Sequence, residues 1–176
     1  MSTQLTLSAV EQLLAIEKIR RVKSRYAYSA DHHNWDDFAS TFAPDALFDE
    51  HDFPIACKPG TNEPVSKTTA AYLEAKASTG TQWPVIGRDA IRAQVSNGVG
   101  VGHTMVHHVF APEVDLTSDT TADAVFRFES HHWFKEGEPV QYMHNFGSYH
   151  ESFVRLHDDR WYIKEFRLNR MRVECS

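Results

Sequence analysis

Histidine supplies most of the proton-transfer chemistry open to this chain. Eleven histidines occur among 176 residues, and His103, His107, His108, His131, His132, His144 and His150 all fall in the C-terminal half. Imidazole is the side chain best matched to moving protons near neutral pH. Alternation along a strand divides these residues between faces. His132 shares a face with Phe126 and Phe128, His150 with Phe146 and Val154, and His107 with Met105 and Val109. Three imidazoles are therefore expected on apolar faces of neighbouring strands, where each serves either as an acid–base group or as a hydrogen-bonded core residue. No short His-x-His or His-x-x-x-His pair lies on those faces, so no metal is expected. His32, His33, His51 and His157 fall in turn-like segments and read as surface residues.

Two further residues qualify by type. Tyr26 lies on an apolar helical stripe, where it either packs or offers a hydroxyl to a cavity. Asp31 closes the same helix. It serves there either as a turn acid capping the Asn34 helix region or, because a carboxylate sits at the unfavourable end of the helix dipole, for another purpose. No phosphate-binding loop, nucleophile elbow, HExxH or CxxC pattern occurs.

The elements that must position these groups follow from periodicity. Ser8-Ala9-Val10-Glu11 has the form of a capping box. Ala15, Ile19, Val22, Tyr26 and Ala30 then recur at three- and four-residue steps, one face of a long helix. Asn34 is placed to cap a short second helix with a stripe of Trp35, Phe38 and Phe42, ended by Pro44-Asp45, before a strand over Ala46–His51. Residues 52–86, with prolines 54, 59, 64 and 84, read as an elaborated loop that could hold a helix over Thr68–Lys76. Gly87-Arg88-Asp89-Ala90-Ile91 opens another helix ending near Asn97-Gly98.

From His103 the period becomes two. Strands are expected over His103–Phe110, Ala122–Phe134, Val140–Leu156 and Trp161–Val173, joined by turns at Thr117-Ser118-Asp119, Glu136-Gly137-Glu138-Pro139 and Asp158-Asp159-Arg160. Helices followed by an antiparallel meander make an α+β fold in one domain over residues 1–176.

Composition limits the partners. A net charge of −6 argues against nucleic acid and against an anionic membrane surface, and leaves a small apolar molecule or a protein. No apolar run is long enough to span a bilayer, and Met1–Thr6 lacks the basic start of a signal peptide. The two cysteines, Cys57 and Cys175, suit free thiols in a cytoplasmic protein.

Taken in order, Arg25-Tyr26 through Asp31, Asn34-Trp35-Asp36, Phe42-Ala43-Pro44-Asp45-Ala46, Gly87-Arg88-Asp89-Ala90-Ile91, Val106-His107-His108 and Asp159-Arg160-Trp161-Tyr162-Ile163 resemble the SnoaL-like branch of the nuclear transport factor 2-like superfamily. The resemblance covers nearly the whole chain except residues 52–86. It implies a cone, the cystatin-like α+β barrel, in which a strongly curved antiparallel sheet wraps the N-terminal helices and leaves an apolar pocket. Its members include scytalone dehydratase, bile acid dehydratase, hexachlorocyclohexane dehydrochlorinase and ketosteroid isomerase. Others only bind or scaffold, so fold does not settle function.

The resemblance also implies roles. Asp31 and His107 match the catalytic aspartate–histidine pair of the dehydratases and the dehydrochlorinase. Tyr26 matches the tyrosine of bile acid dehydratase and the oxyanion tyrosine of ketosteroid isomerase. His132 matches a second histidine of scytalone dehydratase, and His150 stands where that enzyme has asparagine. That enzyme's own tyrosine, next to its aspartate, is replaced by Ala30. On this basis a cofactor-free elimination is expected, with His107 as base, Asp31 fixing it, Tyr26 on the enolate oxygen, and His150 or His132 protonating the leaving hydroxide. Phe126 and Phe128 are expected to bind an apolar, ring-bearing hydroxy-carbonyl compound. Two alternatives stand beside it. Glu50 matches the ketosteroid isomerase base and could shuttle a proton with Tyr26. A non-catalytic member would use the pocket for a ligand, or the outer face bearing Glu129, His131 and Trp133 for self-association into a dimer or trimer.

Overall fold

The computed structural model describes residues 5–78 and 82–176. Residues 1–4 of the N-terminal segment and 79–81 of the expected loop lie outside the described residues.

The first helix, α1, spans Ala9–Asp31. Its start is fixed reciprocally: the Glu11 amide donates to Ser8 Oγ at 3.3 Å, and the Ser8 amide donates to Glu11 Oε2 at 2.8 Å. Its buried stripe contains Ala15, Ile19, Val22, Tyr26 and Ala30, as the spacing predicts. The stripe also contains Lys23, which hydropathy alone does not select. α2 covers Trp35–Ser40, with Asn34 Oδ1 accepting the Asp37 amide at 3.3 Å. Phe42 is not its last stripe residue; it opens strand β1, Phe42–Asp49. Pro44 is tolerated within β1 because the pairing with the last strand shifts register between Phe42 and Leu47.

The region after β1 carries α3 (Lys67–Ser78) and a two-residue strand β2 (Val85–Ile86). α4 (Arg88–Gly98) leads to β3 (Thr104–Val109) and β4 (Glu113–Leu116), and then to β5 (Thr121–Trp133), β6 (Tyr142–Arg155) and β7 (Trp161–Cys175). The short strands β2 and β4 carry too little periodic sequence to be read in advance. Strand order is β2-β1-β7-β6-β5-β3, with β4 sharing the β5 edge. All pairings are antiparallel except β1 with β7, which is parallel. The sheet is curved but does not close into a barrel.

Curvature requires one glycine. Gly147 sits where the β6–β7 register shifts, and an added Cβ would lie 2.1 Å from the Asn169 carbonyl oxygen. α1 lies in the concave face, against Phe126, Phe128, Tyr149, Phe153, Phe166 and Leu168. Burying each such side chain contributes about 1.5–3 kcal/mol. Within this apolar layer, Lys23 Nζ meets Glu151 Oε1 at 2.5 Å, and both side chains are essentially solvent-free. The ammonium also lies 3.3 Å from the Tyr149 ring centre and 3.9 Å from that of Tyr26. Burial lowers the Lys23 pKa to about 8 against the opposing pull of Glu151, and raises that of Glu151. Cys57 and Cys175 are free thiols. Among the described residues, no helix is long and apolar enough to cross a membrane.

Candidate active site

Where α1 ends, β3 passes beside it. The His107 amide donates to Asp31 Oδ2 at 3.0 Å, and His107 Nδ1 lies 2.6 Å from Asp31 Oδ1. A carboxylate can only accept, so Nδ1 carries a proton, and in the neutral imidazole Nε2 presents a lone pair. The same two hydrogen bonds offset the unfavourable position of Asp31 at the negative end of the α1 dipole. Both side chains are largely buried, at 17% exposure for Asp31 and 11% for His107.

His107 faces a chamber of about 120 Å³ at the open end of the cone. Tyr26, Glu50, Phe128 and His132 line it too. The chamber opens into a vestibule of about 210 Å³ that adds Phe53, Leu73, Trp83 and Phe134. Burial first, and then neighbouring Tyr149 and Glu50, hold the Tyr26 phenol well above its ordinary pKa, so it stays a hydrogen-bond donor. Burial also raises the Glu50 carboxyl, against the opposing charge of Arg170.

His132 belongs to a polar wall. Its Nδ1 lies 3.1 Å from His103 Nε2, its Nε2 lies 3.1 Å from Ser130 Oγ, and Asn145 Nδ2 donates to Ser130 Oγ at 3.1 Å. Burial, reinforced by His107, His103 and Arg170, drives the His132 pKa well below 6.5. It is therefore neutral at pH 7, which makes it a hydrogen-bonding group and a poor source of a full proton.

Two expected positions are corrected. His150 projects from the convex face, is exposed, and has Ser148 Oγ 3.0 Å from its Nε2. The alternation that groups it with Phe146 and Val154 is correct, but that set faces outward. The inward set is Asn145, Gly147, Tyr149, Glu151 and Phe153, which looks polar because Glu151 is buried only through its pairing with Lys23. Phe126 is inward but lies deeper, in the core, and not on the chamber wall.

The structure adds residues that sequence reasoning missed, of which Arg170 matters most. It follows Phe166 and Leu168 in the inward register of β7, a signal visible in the alternation. Its Nη1 donates to the carbonyls of Glu50 at 2.9 Å and Asp52 at 2.8 Å, and its Nη2 lies 3.8 Å from Glu50 Oε2. Its Nε and Asn145 Oδ1 are buried without a hydrogen-bond partner. The site thus combines an oriented imidazole, a neutral phenol, a guanidinium and a raised carboxyl in a small, mostly apolar enclosure.

Residues 11–167 match the family model described as the SnoaL-like domain. No functionally curated protein matches the chain in sequence. Among solved structures, a candidate scytalone dehydratase from Novosphingobium aromaticivorans aligns with TM-score 0.70 at 17% identity, covering 96% of this chain and 92% of that one. The hexachlorocyclohexane dehydrochlorinase LinA-type3 from Novosphingobium barchaimii aligns with TM-score 0.67 at 13% identity, covering 96% and 94%. A candidate aromatic ring hydroxylase from N. aromaticivorans aligns with TM-score 0.66 at 16% identity, covering 92% of each chain. At these identities the likeness establishes the fold alone.

Proposed function

The chain belongs to the SnoaL-like domain family of the nuclear transport factor 2-like superfamily, and from its site geometry we propose that it is a cofactor-independent lyase that eliminates water from a small, ring-bearing β-hydroxy carbonyl compound. The observation that carries this reading is the Asp31–His107 contact of 2.6 Å, which leaves Nε2 facing the chamber side of the pair.

In the proposed cycle, His107 Nε2 takes the proton beside the substrate carbonyl, and Asp31 stabilises the imidazolium. The developing enolate oxygen accepts from the Tyr26 hydroxyl, with the Arg170 guanidinium as a second source of positive potential. The carbon–oxygen bond at the β position then breaks as the alkene forms. The leaving hydroxide takes the proton back from His107 Nε2, giving water and restoring the base. His132 orients these groups from the polar wall and remains neutral throughout. The inner chamber, at about 120 Å³, approaches the roughly 150 Å³ cavities that admit a benzene-sized ring. The remainder of a larger substrate would lie in the vestibule, against Trp83 and Phe134. The fold shared with a candidate scytalone dehydratase and with LinA-type3 dehydrochlorinase supports an elimination.

The test is a panel of cyclic β-hydroxy ketones followed by enone absorbance. His107→Ala is expected to lower kcat/KM about 100- to 10,000-fold on the substrate turned over best, the range of a lost general base. Undiminished turnover by His107→Ala would overturn the reading. A second reading rests on Glu50, whose raised carboxyl faces the same chamber. It would move a proton between two carbons of an enone without elimination, and Glu50→Gln would then abolish activity while His107→Ala retained it.

A further inference from the structure

A second cluster of chemistry-bearing side chains lies on the convex face, on the opposite side of the sheet from the chamber. We propose that His108, Glu129 and His131 form a binding site for one divalent transition-metal ion of the imidazole-seeking class, with zinc as its simplest representative. Each of the three residues offers a donor atom, and all three atoms lie within 4.8 Å of one another. Donors around a tetrahedral zinc stand about 3.3 Å apart, given bonds of about 2.0–2.1 Å. Side-chain adjustments of about 1 Å therefore close the site, and strand pairing already brings the donors together.

The register makes the cluster. His108 of β3 stands opposite Glu129 of β5, and His131 of β5 stands opposite His144 of β6. His108 Nδ1 lies 3.0 Å from Glu129 Oε1, and His144 Nε2 lies 3.3 Å from Glu129 Oε2. His144 therefore fixes the carboxylate from the side away from His108. His131 Nδ1 lies 2.6 Å from the Tyr142 hydroxyl, and its ring stacks on that of His144 at 4.1 Å between centres. Both contacts set the orientation of the ring, as hydrogen-bonded partners do for metal-ligating histidines. His108 is half exposed, which gives an ion an entry route.

The site is separate from the proposed catalytic one. Neighbouring residues His107 and His108 project to opposite faces of β3, so the two sites share a strand and no ligand.

The test uses the full chain without a tag, stripped with a chelator and titrated with zinc chloride by calorimetry. Saturable binding of one zinc per chain is expected. His108→Ala and Glu129→Gln should each weaken it about 10-fold or more. His132→Gln, which removes a chamber imidazole, should leave zinc affinity unchanged. His108 is exposed enough that its truncation preserves the fold, checked by circular dichroism. Absence of saturation at millimolar zinc, or equal affinity in His108→Ala and Glu129→Gln, would overturn the proposal. Loss of zinc binding in His132→Gln alone would also overturn it, by placing the metal in the chamber.

Discussion

Lys23→Met isolates the buried charge beneath the chamber floor. In the native chain, Nζ and Oε1 are 2.5 Å apart and neither side chain reaches solvent. At an effective dielectric of about 20, that separation corresponds to an attraction of about 7 kcal/mol. Desolvating the two ions costs several kcal/mol each, so the pair roughly breaks even. Removing Lys23 discards the attraction and leaves Glu151 buried, with Oε2 already lacking a partner. The expected loss is about 3–5 kcal/mol. For a chain of this size it lowers Tm by about 6–20 °C. The double variant Lys23→Met, Glu151→Leu replaces both ions with apolar groups and should recover most or all of the loss. Chemical denaturation and calorimetry of the wild type, the single variant and the double variant supply the comparison. A single variant as stable as the wild type, or a double variant less stable than the single, would refute the reasoning.

Tyr26→Phe should lower kcat about 100- to 1,000-fold by removing an oxyanion donor. Its stability should change by about 1 kcal/mol or less, and kinetics beside a thermal melt separate the two effects. His132 supplies a pH dependence. Its folded pKa lies well below 6.5, so the unfolded chain binds more protons on acidification. Its contribution to stability is complete above pH 6.5 and is lost as pH falls through and below that value. Denaturation midpoints across pH 7 to 5 should therefore fall less steeply in His132→Gln than in the wild type. Under the elimination reading, Glu50→Gln should alter kcat/KM by less than His107→Ala does, and the reverse order in steady-state kinetics would favour the isomerase.

Much of the fold was legible because its long elements carry unambiguous periods. α1 follows from its capping box and its four-residue steps, and β5 from the alternation of Ala124, Phe126 and Phe128. The Asp31–His107 pair came from resemblance, while helix-end electrostatics marked Asp31 only as unusual. β6 was misread in phase because both of its faces carry aromatic residues, and the inward face also carries Glu151. That burial makes sense only with Lys23, 128 residues away in sequence. Arg170 was overlooked for the same reason: a charged residue in an inward register reads as an interruption until a cavity is found there. The convex cluster depends on β3, β5 and β6 lying side by side, an arrangement that spacing along one strand does not reveal.

The central claim is that Asp31 acts through His107. A double-mutant cycle on kcat/KM with Asp31→Asn, His107→Ala and both together tests it most directly. If the carboxylate works by orienting the imidazole, the double variant is no slower than His107→Ala alone. Independent, multiplying losses in the double variant would contradict the account.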